Sequence, residues 1–327
     1  MIRIKGWRSA ILALAALLAA QPAAARPAHR PHRPAAASGP HPAIWLLEDA
    51  DTRIYLFGTI HILPRGFRWR SPRFDAIARN ADELVLEVAG INRRETLAAA
   101  MPELALGKRA PILWRVSPDR REALQELIEE LDIPIDRFDN MQTWAAAMGI
   151  AAVEIMRGLA AEDHGENRHG GRAAAEPPAP ADLPGVEGPL EAEFQASHRP
   201  VSGVETAAQQ MHFFRALSFA EQRELLEGIV DAWRSGEMAQ LGGDGDIGQN
   251  AWARGNVAAM AAETEAMRGP LYDVLLRRRN AAWTDWLIHR LERPGTLLFA
   301  VGAAHLAGSD SVRAMLEARG FTVRRIQ

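Results

Sequence analysis

Two Gly-x-x-His motifs stand near opposite ends of this chain, and each one follows a short run of apolar residues. The first, Gly58-Thr-Ile-His61, follows residues 53–57, and the second, Gly302-Ala-Ala-His305, follows residues 296–301. Both runs are typical of β-strands, and the residues after each motif predict a loop, a helix and a further strand. Because the two ends carry matching units, the sequence predicts an α/β fold whose sheet is built from both ends of the chain.

A second strand is predicted over residues 83–88, after a short helix that Ser71 and Pro72 open. Strand–helix–strand units usually place their two strands parallel in one sheet. We therefore expect residues 53–58 and 83–88 to form a parallel pair.

The long region between the two units has helical periodicity. Apolar residues recur on one helical face over residues 124–131, and residues 140–160 are rich in Ala and Met, as in a buried helix. Ser218 and Glu221 form a capping-box pair. Further helices are predicted over residues 205–217, 218–234, 249–267, 280–292 and 309–319. The predicted fold is thus α/β (α+β), with a central, mainly parallel sheet and a large helical middle region.

The first residues of the chain resemble an export signal. A basic start is followed by an apolar run at residues 10–20 and by small residues up to Ala25, which predicts a cleavable signal peptide over residues 1–25. The apolar run is shorter than the ~18 residues that usually span a membrane, so we expect no stable membrane anchor after cleavage. The protein is therefore predicted to be periplasmic or secreted.

Composition divides the remainder into a leader and one domain. Residues 26–43 are rich in Pro, Ala, Arg and His, which predicts a disordered leader. Residues 44–327 form the predicted domain, and residues 161–184 within it are expected to be a flexible loop. The net charge of −3 argues against nucleic acid as a partner. The chain has no cysteine, so a metal site would need imidazole and carboxylate ligands.

The two histidine motifs predict a shared site. Functional groups gather beyond the carboxyl ends of parallel strands, and glycine allows a sharp turn or a close approach there. If the two strands are neighbours, His61 and His305 converge on one crevice. Two neutral imidazoles with a carboxylate are a common ligand set for a divalent metal. In the alternative interpretation, each histidine is an ordinary loop residue whose hydrogen bonds are satisfied.

Three charged residues are further candidates for this site. Glu87 closes the strand at residues 83–88, where it either reaches the crevice or caps the strand at the surface. Glu205 precedes a helix, where it either joins the site or complements the helix dipole. Arg279 either binds an anionic group or forms a surface ion pair.

Five short segments carry a resemblance to a known family. In order, they are Tyr55-Leu-Phe-Gly-Thr-Ile-His-Ile-Leu-Pro64, Leu84-Val-Leu-Glu-Val88, Gly203-Val-Glu-Thr206, Arg279-Asn-x-x-Trp283 and Val301-Gly-Ala-Ala-His-Leu306. Together they resemble the TraB/GumN family, which includes the animal Tiki proteins, over about residues 44–327. The resemblance implies metal ligands at His61, His305, Glu87 and Glu205. Glu187 stands where the family more often has Asp, so the resemblance assigns it no role.

The resulting hypothesis is a metal-dependent hydrolase that is peptidase-like and acts on an exported peptide or protein. His61, His305, Glu87 and Glu205 would hold Mn, Co or Zn, with one glutamate as general base, and Arg279 would stabilise negative charge. The peptide substrate comes only from the resemblance to Tiki proteins. One alternative is a non-catalytic protein that binds a peptide or saccharide in the same crevice. Another is an accessory role in signalling or polysaccharide export.

Overall fold

The computed structural model of the chain describes residues 39–63, 66–90, 109–163, 185–236, 247–266 and 270–327. The predicted signal peptide (residues 1–25), most of the predicted leader and residues 164–184 of the predicted loop lie outside these ranges. The end of the leader lies inside them: Ala43 is buried, and the His41 amide donates to the Ala253 carbonyl. Within the described ranges, no helix has the length and apolar character needed to cross a bilayer.

A six-stranded sheet forms the centre of the fold, and both ends of the chain contribute to it, as predicted. Its strands are β1 Ile44–Glu48, β2 Thr52–Thr59, β3 Glu83–Val88, β4 Val201–Glu205, β5 Gly295–Gly302 and β6 Val323–Arg325. Their order in space is β4-β3-β5-β2-β1-β6. The first four in this order are parallel, and β1 is antiparallel to both β2 and β6. The sheet is therefore mainly parallel.

The expected pairing of β2 with β3 is wrong, because β5 lies between them. The two strands are parallel, but each forms its hydrogen bonds with β5 instead. The composition of β5 explains its central place: its residues 297–301 are completely buried, and a continuous apolar run suits a parallel strand that is covered on both faces.

Within the described residues, helices surround the sheet or form the middle region. They are α1 Pro72–Asn80, α2 Arg121–Glu130, α3 Thr143–Asp163, α4 Glu187–Ala196, α5 Ala207–Arg215, α6 Phe219–Arg234, α7 Ile247–Ala253, α8 Val257–Ala266, α9 Arg278–Arg290 and α10 Val312–Ala318. The capping box of Ser218 and Glu221 is confirmed at the start of α6. The single helix predicted over residues 249–267 is wrong: α7 and α8 are separated at Gly255, whose φ of 60° is left-handed and interrupts a helix.

Three apolar clusters hold these layers together. Residues that alternate along the strands divide between the two faces of the sheet, as the two-residue period of a strand requires. One face packs on α1, α4, α7 and α8, and the other packs on α9 and α10. The third cluster is formed mainly by α2, α3, α5 and α6, and it is the predicted helical middle region. Helix α5 leads from this region to the carboxyl ends of the strands, because it directly follows β4.

Candidate active site

The two Gly-x-x-His motifs leave the sheet side by side. Strands β2 and β5 are paired in parallel, with Thr59 opposite Gly302. After Gly302 the chain forms a 3₁₀ turn, Ala303–Leu306, which carries His305 back over the sheet edge. A Cβ on Gly58 would lie 3.0 Å from the Cα of Ala303. The first motif therefore needs its glycine so that the second motif can pass close to it.

Three candidate side chains converge on the space beside Gly302, which is called the pocket from here on. From the position that a Cβ would take on Gly302, Glu87 Oε1 is 2.9 Å away, His305 Cδ2 is 3.6 Å away and His61 Nε2 is 4.0 Å away. The Gly302 amide also donates to Glu87 Oε1 over 2.7 Å. Glycine at this position thus leaves the space between the two imidazoles and the carboxylate free of side-chain atoms.

His61 is held through its Nδ1 atom. Glu187 Oε1 lies 2.9 Å from this nitrogen. The residues that lead into α4 pack closely against the same motif. The Val186 amide donates to the Ile60 carbonyl, and a Cβ on Gly185 would be only 2.1 Å from the His61 carbonyl oxygen. The other ring nitrogen of His61, Nε2, is buried and has no hydrogen-bond partner. An unpartnered buried polar atom needs a physical explanation, and a bound ion or ligand is one of those that proteins use.

His305 is the more deeply buried of the two imidazoles, with 4% of its surface exposed. Its Nδ1 lies 2.6 Å from Asn280 Oδ1. Its Nε2 accepts from Arg279 Nη1 over 3.3 Å and is 3.6 Å from Glu87 Oε1. The indole ring of Trp283 covers one face of the imidazole, with 4.3 Å between ring centroids.

Arg279 joins the two glutamates at the centre of the site. Its Nη2 donates to Glu87 Oε2 over 2.6 Å and to Glu205 Oε2 over 2.8 Å, and its Nε donates to Glu205 Oε1 over 2.9 Å. Glu205 also accepts from Trp283 Nε1 and from Gln210 Nε2, and Gln210 bonds Glu87 as well. Side-chain donors therefore engage both oxygens of Glu205, whereas Glu87 Oε1 accepts from the backbone amide of Gly302 and borders the pocket.

A π-helical turn, Asp273–Arg277, directly precedes α9 and the arginine. Arg279 Nη1 donates to the carbonyl of Leu275 within this turn over 3.0 Å. Turns of this type are rare and occur frequently at functional sites. Arg279, Asn280 and Trp283 follow this turn at the start of α9, and all three contact His305.

The two histidines differ sharply in their affinity for protons. Burial lowers the pKa of His61, but the charge of Glu187 and its hydrogen bond more than offset this, and the pKa is raised to about 9. Burial also lowers the pKa of His305, and because Arg279 and His61 add to this effect, it falls to about 3 despite Glu87. Burial raises the pKa of Glu87, but Arg279 and the two histidines outweigh it, so the net shift is downward. Without a metal, His61 is thus the basic imidazole and His305 the neutral one.

All five side chains named from the sequence lie in this one cluster: His61, Glu87, Glu205, Arg279 and His305. Glu187, to which the sequence assigned no role, contacts His61 directly. A signal for it was present, since Gly-Val-Glu occurs at residues 185–187 and again at residues 203–205. Gln210 was also missed, although it is a polar residue on the buried face of α5.

The side chains of the cluster are not arranged as a preformed metal site. Among the described residues, no three His, Asp or Glu side chains have the mutual spacing of a ready metal centre. Arg279 Nη1 donates a hydrogen bond to His305 Nε2. A metal bound by His305 through Nε2 would therefore have to displace this contact.

Trp283→Phe should destabilise the protein through Glu205. The indole Nε1 donates to Glu205 Oε1 over 2.9 Å, and phenylalanine would leave that buried carboxylate with one donor fewer. We expect the free energy of unfolding to fall by about 1–3 kcal/mol more than in Trp286→Phe. Trp286 is a matched control, because it stacks on Phe299 and is half-buried. Urea unfolding measures both variants, and equal losses would contradict a role for the indole N–H.

Comparison with known proteins places the chain in a family. The model of the TraB/PrgY/gumN family matches residues 43–325. The uncharacterized protein YbaP of Escherichia coli (strain K12) is 26% identical over 278 residues, covering 84% of this chain and 92% of that protein. YbaP of Shigella flexneri is similar to the same degree, with 26% identity over 278 residues. No solved structure matches the chain. The family model spans nearly the whole described fold, and the chain therefore belongs to the TraB/PrgY/gumN family.

Proposed function

We propose that the protein is a metal-dependent hydrolase that cleaves amide or ester bonds, with an exported peptide or protein as its substrate. One observation carries the proposal: the buried, unpartnered Nε2 of His61 faces the same small volume as Glu87 Oε1 and the ring of His305. Membership of the family supports a shared site at these motifs. The peptide preference and the periplasmic or secreted location rest on the resemblance to Tiki proteins and on the predicted signal peptide.

The chemistry of the pocket fits a divalent cation. Imidazole nitrogens and carboxylate oxygens are the ligands that Zn, Mn and Co take in proteins. His61, His305 and Glu87 would hold the ion, and it would lower the pKa of a bound water and polarise a scissile carbonyl. Glu205 has a different role in this proposal. Because Arg279, Trp283 and Gln210 donate to its oxygens, it positions Arg279.

Arg279 and Glu87 supply the remaining chemistry. The guanidinium is buried, with 6% of the residue exposed, and a fixed positive charge in a dry site stabilises negative charge that develops on a reacting oxygen. Glu87 presents Oε1 to the pocket and Oε2 to Arg279. We assign to Glu87 the carboxylate role at the reacting centre, as a ligand or as the acceptor of a proton.

The test combines metal analysis with peptide cleavage. We expect purified protein incubated with Mn²⁺, Co²⁺ or Zn²⁺ to retain stoichiometric metal and to cleave members of a peptide library. His61→Ala should lose both properties, and a chelator should stop cleavage by the wild type. The control is His289→Ala, because His289 is exposed on α9 and bonds only the Asp285 carbonyl. It should behave as the wild type.

Each failure of this test has a distinct meaning. Cleavage that persists in excess chelator would show that the protein is a hydrolase that needs no metal. Peptide or saccharide that binds in a His61-dependent way, with no turnover under any metal, would support the binding-protein alternative instead. Wild-type protein that holds no metal and neither binds nor cleaves would overturn both functions.

A further inference from the structure

We infer that Asn280 is a positioning residue that fixes the tautomer of His305, so that the proton is on Nδ1 and Nε2 keeps its lone pair, which accepts from Arg279 Nη1. This tautomer does not depend on the proposed function. Only the further step, in which the Nε2 lone pair binds a metal, rests on that function. The tautomer itself follows from hydrogen bonds around the ring, which have a defined direction.

The orientation of the Asn280 amide is set from outside the site. Its Nδ2 donates to the backbone carbonyl of Asp310 over 2.7 Å. In the flipped orientation, the amide oxygen would face the carbonyl oxygen, and two acceptors would be in contact. Asn280 Oδ1 therefore points at His305 Nδ1, which is 2.6 Å away. An amide oxygen only accepts, so this nitrogen of the imidazole must carry the proton.

The opposite side of the ring imposes the same tautomer. Arg279 Nη1 lies 3.3 Å from His305 Nε2, and a guanidinium has no acceptor. The Nε2 atom must therefore accept, which leaves it unprotonated. Glu87 Oε1 is 3.6 Å from Nε2, too far to accept a hydrogen bond from it, so the contacts around the ring leave a single proton, on Nδ1. Two independent neighbours thus require the proton on Nδ1.

The start of α9 provides three of the side chains around this imidazole. Arg279 and Asn280 are adjacent in sequence, so they project about 100° apart around the helix and reach the ring from two sides. Trp283 lies one turn further on and covers the ring face. The Arg-Asn-x-x-Trp segment is thereby explained as a clamp for His305. Residues that fix a ligating histidine through its second nitrogen change metal affinity by ~10–100-fold when they are replaced.

The tautomer is measured by NMR in metal-free protein. In the full chain labelled with ¹⁵N-histidine, long-range ¹H–¹⁵N correlations separate protonated from unprotonated ring nitrogens for each of the 10 histidines. The His305 signals are those that His305→Gln removes. We expect Nδ1 to be protonated, with a downfield N–H proton that exchanges slowly with solvent, and Nε2 to be unprotonated. A proton on Nε2 would overturn the inference, whether or not the protein is a hydrolase.

Variants of Asn280 test its part in this arrangement. Asn280→Ala should move the Nδ1 proton upfield and make it exchange faster, whereas Asn280→Asp keeps an acceptor and should preserve the downfield signal. The control Asn80→Ala lies at the exposed end of α1 and should change nothing at His305. Zn²⁺ titration should show ~10–100-fold weaker binding in Asn280→Ala than in wild type. An unchanged Nδ1 proton signal in folded Asn280→Ala would overturn the role of Asn280. If the tautomer is as stated but no protein binds Zn²⁺, the proposed function fails and the positioning role stands.

Discussion

Arg279→Met is expected to lower the free energy of unfolding by about 3–5 kcal/mol, the cost of breaking a buried ion pair from one side. Arg279 is 6% exposed and donates to the buried carboxylates of Glu87 and Glu205. Methionine has similar bulk but no donor, so it would leave two negative charges buried without their shared cation. Chemical denaturation followed by circular dichroism measures the loss.

Two further variants sharpen this prediction. Arg279→Lys should recover little, because a single ammonium lacks the fork geometry that lets Nε and Nη2 bond Glu205 while Nη2 also bonds Glu87. Arg279→Met combined with Glu205→Gln should recover part of the stability, since one buried charge is then removed. The control Arg313→Met breaks an exposed pair with Glu317 and should cost less than about 1 kcal/mol. A loss in Arg279→Met no larger than in this control would show that the ion pairs of Arg279 with Glu87 and Glu205 do not stabilise the fold.

Gly302→Ala is expected to reduce kcat/KM by about 100-fold or more, although no polar group is removed from the site. A displacement of about 1 Å in a catalytic constellation has a cost of this order. The backbone of Gly302 is in a region open to any residue, with φ −47° and ψ 133°, so the effect would come from the added methyl group alone. That methyl would lie 2.9 Å from Glu87 Oε1 and would border both histidines. The peptide-cleavage assay, with the metal content of the same samples, measures the change.

Gly149→Ala is the matched control for this prediction. A Cβ on Gly149 has its nearest neighbour 4.0 Å away, and the residue lies within helix α3. Alanine there should leave cleavage unchanged and stabilise the helix by about 0.5–1 kcal/mol. Overpacking in Gly302→Ala should cost about 1–3 kcal/mol, so a folded variant is available for kinetics. Equal activity in the two variants would show that the space beside Gly302 is not where the reaction takes place.

The sequence predicted the parts of this fold that depend on local patterns. The α/β class, the capping box of α6 and the contribution of both chain ends to the sheet follow from periodicity and from cap residues. The order of the strands did not follow, because β5 separates β2 from β3 through burial on both of its faces, which is a property of the assembled sheet. The break at Gly255 was missed because a lone glycine is tolerated in many helices.

The proximity of the candidate side chains was predictable where a motif pointed to it, and less so where packing alone creates the contact. His61 and His305 were found because their motifs follow strands, and the parallel pairing of β2 with β5 brings them together. The contact between Glu187 and His61 depends on the packing of α4 against the first motif, which periodicity does not encode. Arg279 bonds both glutamates and also a carbonyl of the π-helical turn before α9. No sequence pattern predicted that turn.

The central place of β5 also determines when the protein can fold. Residues 295–302 follow both β2 and β3 in the sequence, yet they separate these two strands, which the ribosome makes much earlier. A nascent chain that holds β2 and β3 has no native partner for their facing edges until residues 295–302 have also been made. The carboxylate of Glu87 and the ring of His61 can contact His305 only after β5 has been inserted between β2 and β3. Synthesis that stops before residue 295 therefore yields neither the middle of the sheet nor a working pocket.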